Sequence, residues 1–124
     1  EQLRALRPVP SAVPRWSETD IAKLERVHAL MQEQMAQELT LDYLCAQVGL
    51  SLFKFKQGWK YRYGDSPQRT LLALRMQRAK LLLENGCQVA QAGWQTGYRY
   101  PANFSAAFSR YFGYAPKTVA RAKG

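Results

Sequence analysis

The stretch SPQRTLLALRMQRAKLLLENG, residues 66–86, decides the fold of this 124-residue chain because it reads as one long helix. Ser66 can cap it by accepting an amide hydrogen bond, Pro67 suits the first helical position, and Asn85-Gly86 can adopt the left-handed conformation that ends a helix. Apolar residues recur between these ends at helical spacing, and they are Leu71, Leu72, Met76, Ala79, Leu82 and Leu83. An ordinary core helix would show the same pattern, so the flanking sequences decide its role.

The two flanks of this helix repeat one pattern. Residues 41–64 read as a short helix, a glycine turn and a second helix, and residues 88–113 read the same way. Gly49 and Gly97 lie 48 residues apart, and the pairs Phe55–Phe104, Trp59–Phe108, Gly64–Gly113 and Pro67–Pro116 lie 49 apart. Two copies are too few for a solenoid, so the pattern predicts two helix-turn-helix modules held apart by the helix. Because no segment has the two-residue period of a strand, the predicted class is all-α with about seven helices.

The remaining segments extend this organisation towards both ends of the chain. Residues 1–16 hold three prolines and read as a linker or the tail of an absent N-terminal domain, so the chain is interpreted as a piece of something longer. Ser17, with Asp20 three residues later, is expected to start a helix from about Glu18 to Gln37 that covers the first module. The predicted boundaries are 17–65 for the first subdomain, 66–86 for the linker helix and 87–124 for the second subdomain, which closes with a short helix over about 117–121.

Helical spacing separates an inner and an outer face on the second helix of each module. Ser51 can cap the first of these helices, which then runs to about Tyr63. Its inner positions are predicted to be Leu52, Phe55 and Trp59. In the other module the predicted anchors are Phe104, Ala107, Phe108 and either Tyr111 or Phe112. The outer faces of both helices are thereby left for a partner.

Charge is distributed unevenly along the chain. The net charge is +9, but residues 1–50 carry 5 basic and 7 acidic residues, whereas residues 51–124 carry 13 basic and 2 acidic residues. This imbalance favours a polyanionic partner, with nucleic acid first and an anionic membrane second, although solubility alone would be served by the same charge. Hydrophobic residues make up 47% of the chain, enough for a packed core, and no apolar run approaches the ~18 residues that span a membrane.

Residues that could carry chemistry are scarce. Cys45 and Cys87 form no CxxC pair and are expected to be reduced thiols, Cys45 in the core and Cys87 near a helix start. The single histidine, His28, is interpreted as structural or solvated. No metal-ligand cluster, phosphate-binding loop or nucleophile motif is present in the sequence. The chain is therefore predicted not to be an enzyme, with no catalytic residues, no metal site and no cofactor.

Three groups of residues, taken in order and spacing, identify a family. They are Ser51, Phe55, Trp59, Gly64, Ser66 and Pro67; then Arg75, Ala79 and Leu82; then Gly97, Tyr98, Phe104, Ser105, Phe108, Arg110, Phe112, Gly113 and Pro116. With them, residues 39–121 resemble the AraC/XylS family of bacterial transcription regulators. The resemblance implies a C-terminal DNA-binding domain of two helix-turn-helix subdomains joined by a long helix, with one recognition helix each. A helix of about 19 residues is roughly 28 Å long, which suits two recognition helices in successive major grooves ~34 Å apart.

The resemblance also implies partners. The expected partner is double-stranded promoter or operator DNA, bound sequence-specifically by a cytoplasmic regulator of a family that commonly activates transcription by contacting RNA polymerase. A small-molecule effector would act only through an N-terminal ligand-sensing or dimerisation domain, which is missing here, and no membrane partner is expected. The run from Gly97 to Pro116 resembles the siderophore- and iron-responsive members of the family.

The family's base-reading positions can be placed residue by residue. In the first recognition helix they fall on Phe53, Lys56 and Gln57, with Ser51, Lys54 and Lys60 beside them. In the second they fall on Pro101, Ala102 and Ala106, with Arg99, Tyr100, Asn103, Ser105 and Arg110 beside them. Arginine is frequent in the family at the positions of Gln57 and Ala106; Gln57 can still pair with adenine, whereas Ala106 offers only a methyl group. The first module is therefore expected to supply most polar base readout, and the second to act partly through shape and backbone contacts.

Other roles stay open for several of these residues. Phe53 could belong to the core instead of contacting a thymine methyl group, and Asn103 could be a hydrogen-bonding residue at a helix start. The exposed lysines could form only a solvated face. Five more basic residues could either contact phosphate groups or pack against neighbours on their own helix: Arg62, Arg69, Arg75, Arg78 and Lys80. For the whole domain, the competing interpretation is a basic helical interaction module that binds an acidic protein or an anionic membrane surface.

Overall fold

The computed structural model describes residues 16–123, with side chains as far as residue 120, and this part of the chain holds seven helices and no strand. The helices are α1 (Glu18–Glu33), α2 (Leu41–Val48), α3 (Leu52–Tyr63), α4 (Pro67–Glu84), α5 (Val89–Gln95), α6 (Pro101–Phe112) and α7 (Pro116–Lys123). The predicted all-α class is confirmed. The predicted linker or tail at residues 1–16 lies outside the described residues except for its last position.

Hydroxyl side chains begin the first four helices. Each accepts a hydrogen bond from the amide three residues on: Ser17 from Asp20, Thr40 from Tyr43, Ser51 from Lys54 and Ser66 from Arg69, at 3.0–3.2 Å. Such caps satisfy amides that the helix itself leaves without partners, and each contributes about 1 kcal/mol. The starts of these helices are therefore set by contacts within four residues of sequence.

The end of α1 is earlier than the sequence predicts. The helix stops at Glu33 rather than near Gln37, and the chain turns, with the Gln37 amide donating to the Gln34 carbonyl oxygen at 2.9 Å. After the turn, the Gln37 carbonyl oxygen accepts a hydrogen bond from Arg75 of α4 at 3.0 Å. Met35, predicted on the helical face, is buried outside the helix. A tertiary contact therefore replaces the last predicted turn of helix.

Two hydrophobic clusters form the core, and α4 contributes to both. The first cluster comprises Leu24, Val27, Leu30, Met31, Leu44, Cys45, Leu50, Phe55, Trp59 and Leu71. The second comprises Met76, Ala79, Leu83, Ala92, Phe104 and Phe108. Along α4, Leu71 thus packs in the first cluster, and Met76, Ala79 and Leu83 pack in the second. Leu72, one of the apolar residues at helical spacing in this helix, is exposed.

The second helices of the two modules bury equivalent residues. Phe55 and Trp59 of α3, and Phe104 and Phe108 of α6, are all completely buried, as their 49-residue offset predicts. The prediction that Leu52 is an inner residue is wrong, because its side chain is 39% exposed. The buried stripe of α3 continues instead through Gly58, where an added Cβ would lie 3.1 Å from Leu24 Cδ1 of α1. Gly58 thus allows a close approach of α1, which runs alongside α3 from Asp20 near Lys54 to His28 against Tyr63.

At the end of α6 the structure decides between two predicted anchors. Phe112 is half-buried against the second cluster, whereas Tyr111 is exposed. The last helix begins at Pro116 and continues to Lys123, slightly longer than predicted. Across residues 16–123 none of the helices combines the length and the apolar character needed to cross a lipid bilayer.

The glycine turns of the two modules share a left-handed backbone but differ in their surroundings. Gly49 has a φ of 75° and Gly97 a φ of 100°, a region that side chains with a Cβ rarely occupy. No atom lies within 4 Å of the position that a Cβ would take on Gly49. On Gly97 the same atom would overlap the carbonyl oxygen of Met35 and lie 2.9 Å from Arg75 Cζ. The turn of the second module is therefore pressed against α4 and the loop that follows α1.

Candidate nucleic-acid interface

The outer face of α3 presents every residue that the sequence predicted for the first recognition helix. Because Phe55, Gly58 and Trp59 face the core, the other sides of the helix are left to solvent. The exposed predicted residues are Ser51, Phe53, Lys54, Lys56, Gln57 and Lys60. Phe53 is 72% exposed, so the alternative that it belongs to the core is wrong.

A polar contact fixes α3 against the start of α4. Trp59 Nε1 donates to Thr70 Oγ1 at 2.9 Å, and the Thr70 hydroxyl in turn donates to the Ser66 carbonyl oxygen at 3.0 Å. The Trp59 ring also lies 4.4 Å from that of Tyr63 and 5.5 Å from that of Phe55, measured between centroids. His28 stacks on the Tyr63 ring at 5.2 Å, which gives this histidine the structural role considered for it. These contacts hold the outer face of α3 in a defined orientation.

The outer face of α6 carries the candidates of the second recognition helix. Seven of the eight are exposed: Arg99, Tyr100, Pro101, Ala102, Asn103, Ala106 and Arg110. Ser105 is half-buried. The helix starts after Tyr100 without a side-chain hydrogen bond to its first amides, so Asn103 does not act as its cap. This face has less hydrogen-bonding capacity than α3, since proline and alanine occupy three of its outward positions.

Lysine provides the charge on α3. Lys54 Nζ lies 3.3 Å from Asp20 Oδ2, at the start of α1. Partial burial raises the pKa of Asp20, but hydrogen bonds from Lys54 and Ser17 outweigh it, and the pKa is lowered overall. Within the described residues, Lys56 and Lys60 have no carboxylate oxygen within 4.0 Å of their ammonium groups. Two of the three lysines on this helix are thus available to an anionic partner without breaking an ion pair.

Arg75, at the middle of α4, joins the two modules. Its Nη2 donates to the Gln37 carbonyl oxygen at 3.0 Å, and its Cζ lies 6.0 Å from the centroid of the Tyr98 ring. Burial lowers the pKa of Arg75 and raises the pKa of Tyr98. The Tyr98 ring packs in turn on Phe104 of α6 at 5.6 Å. Of the two roles left open for Arg75, the structure shows the intramolecular one.

Three other basic residues for which both roles stay open also make contacts within the chain. Arg62 pairs with Glu25 at 3.2 Å, and Lys80 Nζ lies 5.4 Å from the centroid of the Phe112 ring. Arg69 Nε lies 3.2 Å from Asp65 Oδ1 in an exposed pair. Exposed pairs of this kind contribute little stability, so they can be exchanged for a phosphate contact.

An exposed tryptophan lies beside the start of α6 and was not predicted as a site residue from the sequence. Trp94 of α5 is 65% exposed and borders a hollow of about 530 Å³. The same hollow is bordered by Arg99, Tyr100 and Asn103, which were predicted. The signal in the sequence was a tryptophan on the outer side of a short helix whose inner residues are Ala92 and Gly93. Exposed tryptophan and arginine are characteristic of binding surfaces.

Groups with catalytic or metal-binding potential are few in the structure. Among residues 16–123 no cluster of three or more histidine, cysteine or acidic side chains could hold a metal ion. Cys45 is buried, and burial raises the pKa of its thiol, while Cys87 is half-buried. Neither cysteine forms a disulfide within this part of the chain.

Comparisons with known proteins connect this geometry to DNA-binding regulators. A family model described as a helix-turn-helix domain matches residues 44–122. The HTH-type transcriptional activator RhaS of Klebsiella pneumoniae (strain 342) is 29% identical over 99 residues, which are 79% of this chain and 36% of that protein. RhaS of Salmonella schwarzengrund (strain CVM19633) is 30% identical over the same length and coverage. The chain therefore spans little more than a third of the length of these curated relatives.

Solved structures share the fold. The DNA-binding domain of AdpA, a global transcriptional factor, in complex with a target DNA has a TM-score of 0.75 and 25% identity over 81% of this chain and 91% of that one. The C-terminal domain of AraT, a response regulator from Geobacillus stearothermophilus, has a TM-score of 0.77 over 88% of both chains. Its identity is 24%, so this likeness concerns the fold alone.

Proposed function

The chain belongs to the AraC family, in which it corresponds to the C-terminal, helix-turn-helix DNA-binding domain, and we propose that α3 and α6 bind in successive major grooves of one duplex. DNA-binding regulation of transcription is the function of this class. The finer proposal concerns which residues read the DNA and how the two helices divide the task.

The observation that carries the proposal is the equivalence of α3 and α6. Both helices have 12 residues, both bury aromatic anchors at matching positions, and both leave their remaining faces open. Between them α4 has 18 residues and is therefore about 27 Å long. That length supports a separation of α3 and α6 that is comparable with one helical turn of duplex DNA, ~34 Å.

The chemistry of the outer faces favours unequal roles for the two helices. Lys56 can donate to guanine O6 and N7, and Gln57 can pair with adenine N6 and N7. Phe53 can contact a thymine methyl group. On α6, Ala102 and Ala106 have no hydrogen-bonding side-chain atoms, so specificity there depends on methyl contacts, on Asn103 and on positioning by Arg99 and Arg110. We therefore expect α3 to supply most of the polar base readout.

The proposal is tested by selecting duplexes that bind the 124-residue chain from a random pool and measuring their affinity by fluorescence anisotropy over a salt series. The expected result is enrichment of one site with preferred bases in two adjacent turns, together with a steep salt dependence from phosphate contacts. Enrichment confined to one turn refutes two-helix reading. Salt-dependent binding without any enrichment refutes specific recognition and favours the basic interaction module that binds acidic proteins or anionic membranes.

The activity of the whole protein is a further part of the proposal. Because the relatives that match are transcriptional activators, we propose that the intact protein is an activator that contacts RNA polymerase in the cytoplasm. A small-molecule effector would act through an N-terminal domain. A reporter gene placed behind the selected site tests this, since expression should rise with the intact protein and stay low without it.

A further inference from the structure

A continuous concave surface connects the outer faces of α3 and α6. One hollow of about 470 Å³ is lined by Lys56, Lys60, Asp65, Ser66, Pro67, Gln68 and Arg69. A second hollow of about 510 Å³ is lined by Asp65, Arg69, Leu72, Ala73, Ala107, Arg110 and Tyr111. The two hollows share Asp65 and Arg69, so they meet at the start of α4. We call this surface, residues 65–73 with 107–111, the seam.

Two guanidinium groups border the seam. Arg69 is 77% exposed at its side chain and pairs with Asp65, which also accepts a hydrogen bond from the Ser66 amide at 2.8 Å. Arg110 is exposed on α6, and no carboxylate oxygen of the described residues lies within 4.0 Å of it. Ala73 and Ala107 between them are small. The seam can therefore approach a surface closely, with the guanidinium of Arg110 free of a carboxylate partner among the described residues on one side and that of Arg69, in an exposed and exchangeable pair with Asp65, on the other.

The position of the seam relative to DNA follows from the proposed function, on which this inference rests. Two successive major grooves on one face of a duplex are separated by a minor groove. If α3 and α6 occupy those major grooves, the minor groove between them faces the seam. A narrow minor groove, as in A-tracts, has an enhanced negative potential that attracts arginine.

We infer that Arg69 and Arg110 read the width of this central minor groove, so that the chain prefers a narrow, A·T-rich spacer between its two recognition sites. The ligand of the seam is thus the minor groove of duplex DNA. The preference is for a DNA shape at base pairs that lie between the two major-groove sites.

The test uses the site obtained by selection, with its two recognition sequences unchanged and three different spacers. The spacers are an A-tract, a G·C sequence, and that G·C sequence with inosine replacing guanine. Inosine keeps the major-groove edge of guanine but lacks the amino group that guanine places in the minor groove. We expect the chain to bind the A-tract duplex about tenfold more tightly than the G·C duplex, and the inosine duplex nearly as tightly as the A-tract.

Arginine variants inside and outside the seam separate its effect from general electrostatics. The double variant Arg69→Ala, Arg110→Ala should bind all three duplexes more weakly and lose the preference, with affinities within about twofold of one another. Arg78→Ala removes one arginine nine residues beyond Arg69, on the opposite side of α4, and should keep the full preference. Thermal unfolding followed by circular dichroism verifies that each variant is folded.

Each outcome bears on one proposal. Equal affinity of the unaltered chain for all three spacers overturns the inference but leaves two-helix reading intact. A preference that survives in the double variant also overturns it, because the arginines then do not carry the effect. If the initial selection yields no preferred site, the proposed function itself fails, and the spacer experiment is never reached.

Discussion

Replacing Gly97 with alanine tests whether the close contact between the modules is as tight as the structure shows. The residue has a φ of 100°, where a Cβ costs roughly 1–2 kcal/mol. Its Cβ would also overlap the Met35 carbonyl oxygen and lie 2.9 Å from Arg75 Cζ. Forcing an atom into such a site costs typically about 1–3 kcal/mol more. We expect Gly97→Ala to lower the free energy of unfolding by about 2–5 kcal/mol, the sum of both effects.

The repeat provides a matched control at the equivalent position. Gly49 also has a positive φ, 75°, but nothing lies within 4 Å of the position that its Cβ would take. Gly49→Ala should therefore lose only the conformational part, about 1–2 kcal/mol. Urea unfolding monitored by tryptophan fluorescence measures both variants, and an unchanged m-value indicates that the comparison concerns stability.

The result that would refute this reasoning is an equal loss of stability in the two variants. It would mean that the loop after α1 moves away from the turn of the second module without lowering the free energy of unfolding. A second readout is binding to the selected site. Because Gly97 and Arg75 hold α3 and α6 in relation to each other, Gly97→Ala should weaken binding to the two-part site more than binding to either half alone.

Three further outcomes are expected. Gln57→Ala should reduce the binding free energy by about 1–3 kcal/mol and relax the preference at one base pair, whereas Lys60→Ala should weaken binding to all duplexes alike and reduce the salt slope by about one. Identical specificity profiles of the two variants in anisotropy would contradict the assignment. DNA binding should quench Trp94, and this fluorescence change should vanish in Trp94→Phe; a change that persists would show that another tryptophan reports binding. The pKa of the Asp20 carboxylate is lowered below 3.8, so the stability that this group contributes is complete above that pH and is lost as the pH falls through the lower folded value. Asp20→Asn should therefore remove this acid-dependent part of the urea midpoint. An unchanged dependence of the midpoint on pH would disprove the assignment.

Much of the fold could be predicted because the relevant contacts are local. Ser51 and Ser66 cap helices through amides three residues away, so a short stretch of sequence contains both partners. The buried positions Phe55 and Trp59 recur as Phe104 and Phe108, since both pairs are spaced four residues apart and so lie on one face of a helix with a 3.6-residue period. The candidate residues on α3 and α6 came from the resemblance to the AraC/XylS family, carried over position by position, and the structure shows most of them off the inner face. Whether they contact DNA is a prediction that the selection experiment tests.

The errors and omissions have a common physical origin in long-range packing. Periodicity extended α1 to Gln37, but the chain turns there to meet Arg75, 38 residues further along. Leu52 fits the inner stripe of α3, yet its side chain is 39% exposed, because burial depends on which elements pack against that end of the helix. Trp94 reads as one more apolar residue until the packing of α5 shows it exposed.

The amino-acid sequence by itself determined that this chain has two equivalent helix-turn-helix modules, a long helix between them and a basic outer face on the second helix of the first module. Those features follow from capping, turn glycines and period, which act over a few residues. Only the tertiary structure decided that Arg75 and Gly97 join the modules and that Arg69 and Arg110 border one seam. The reason is that these residues are separated by tens of positions, and only the packing of α4 against both cores brings them together.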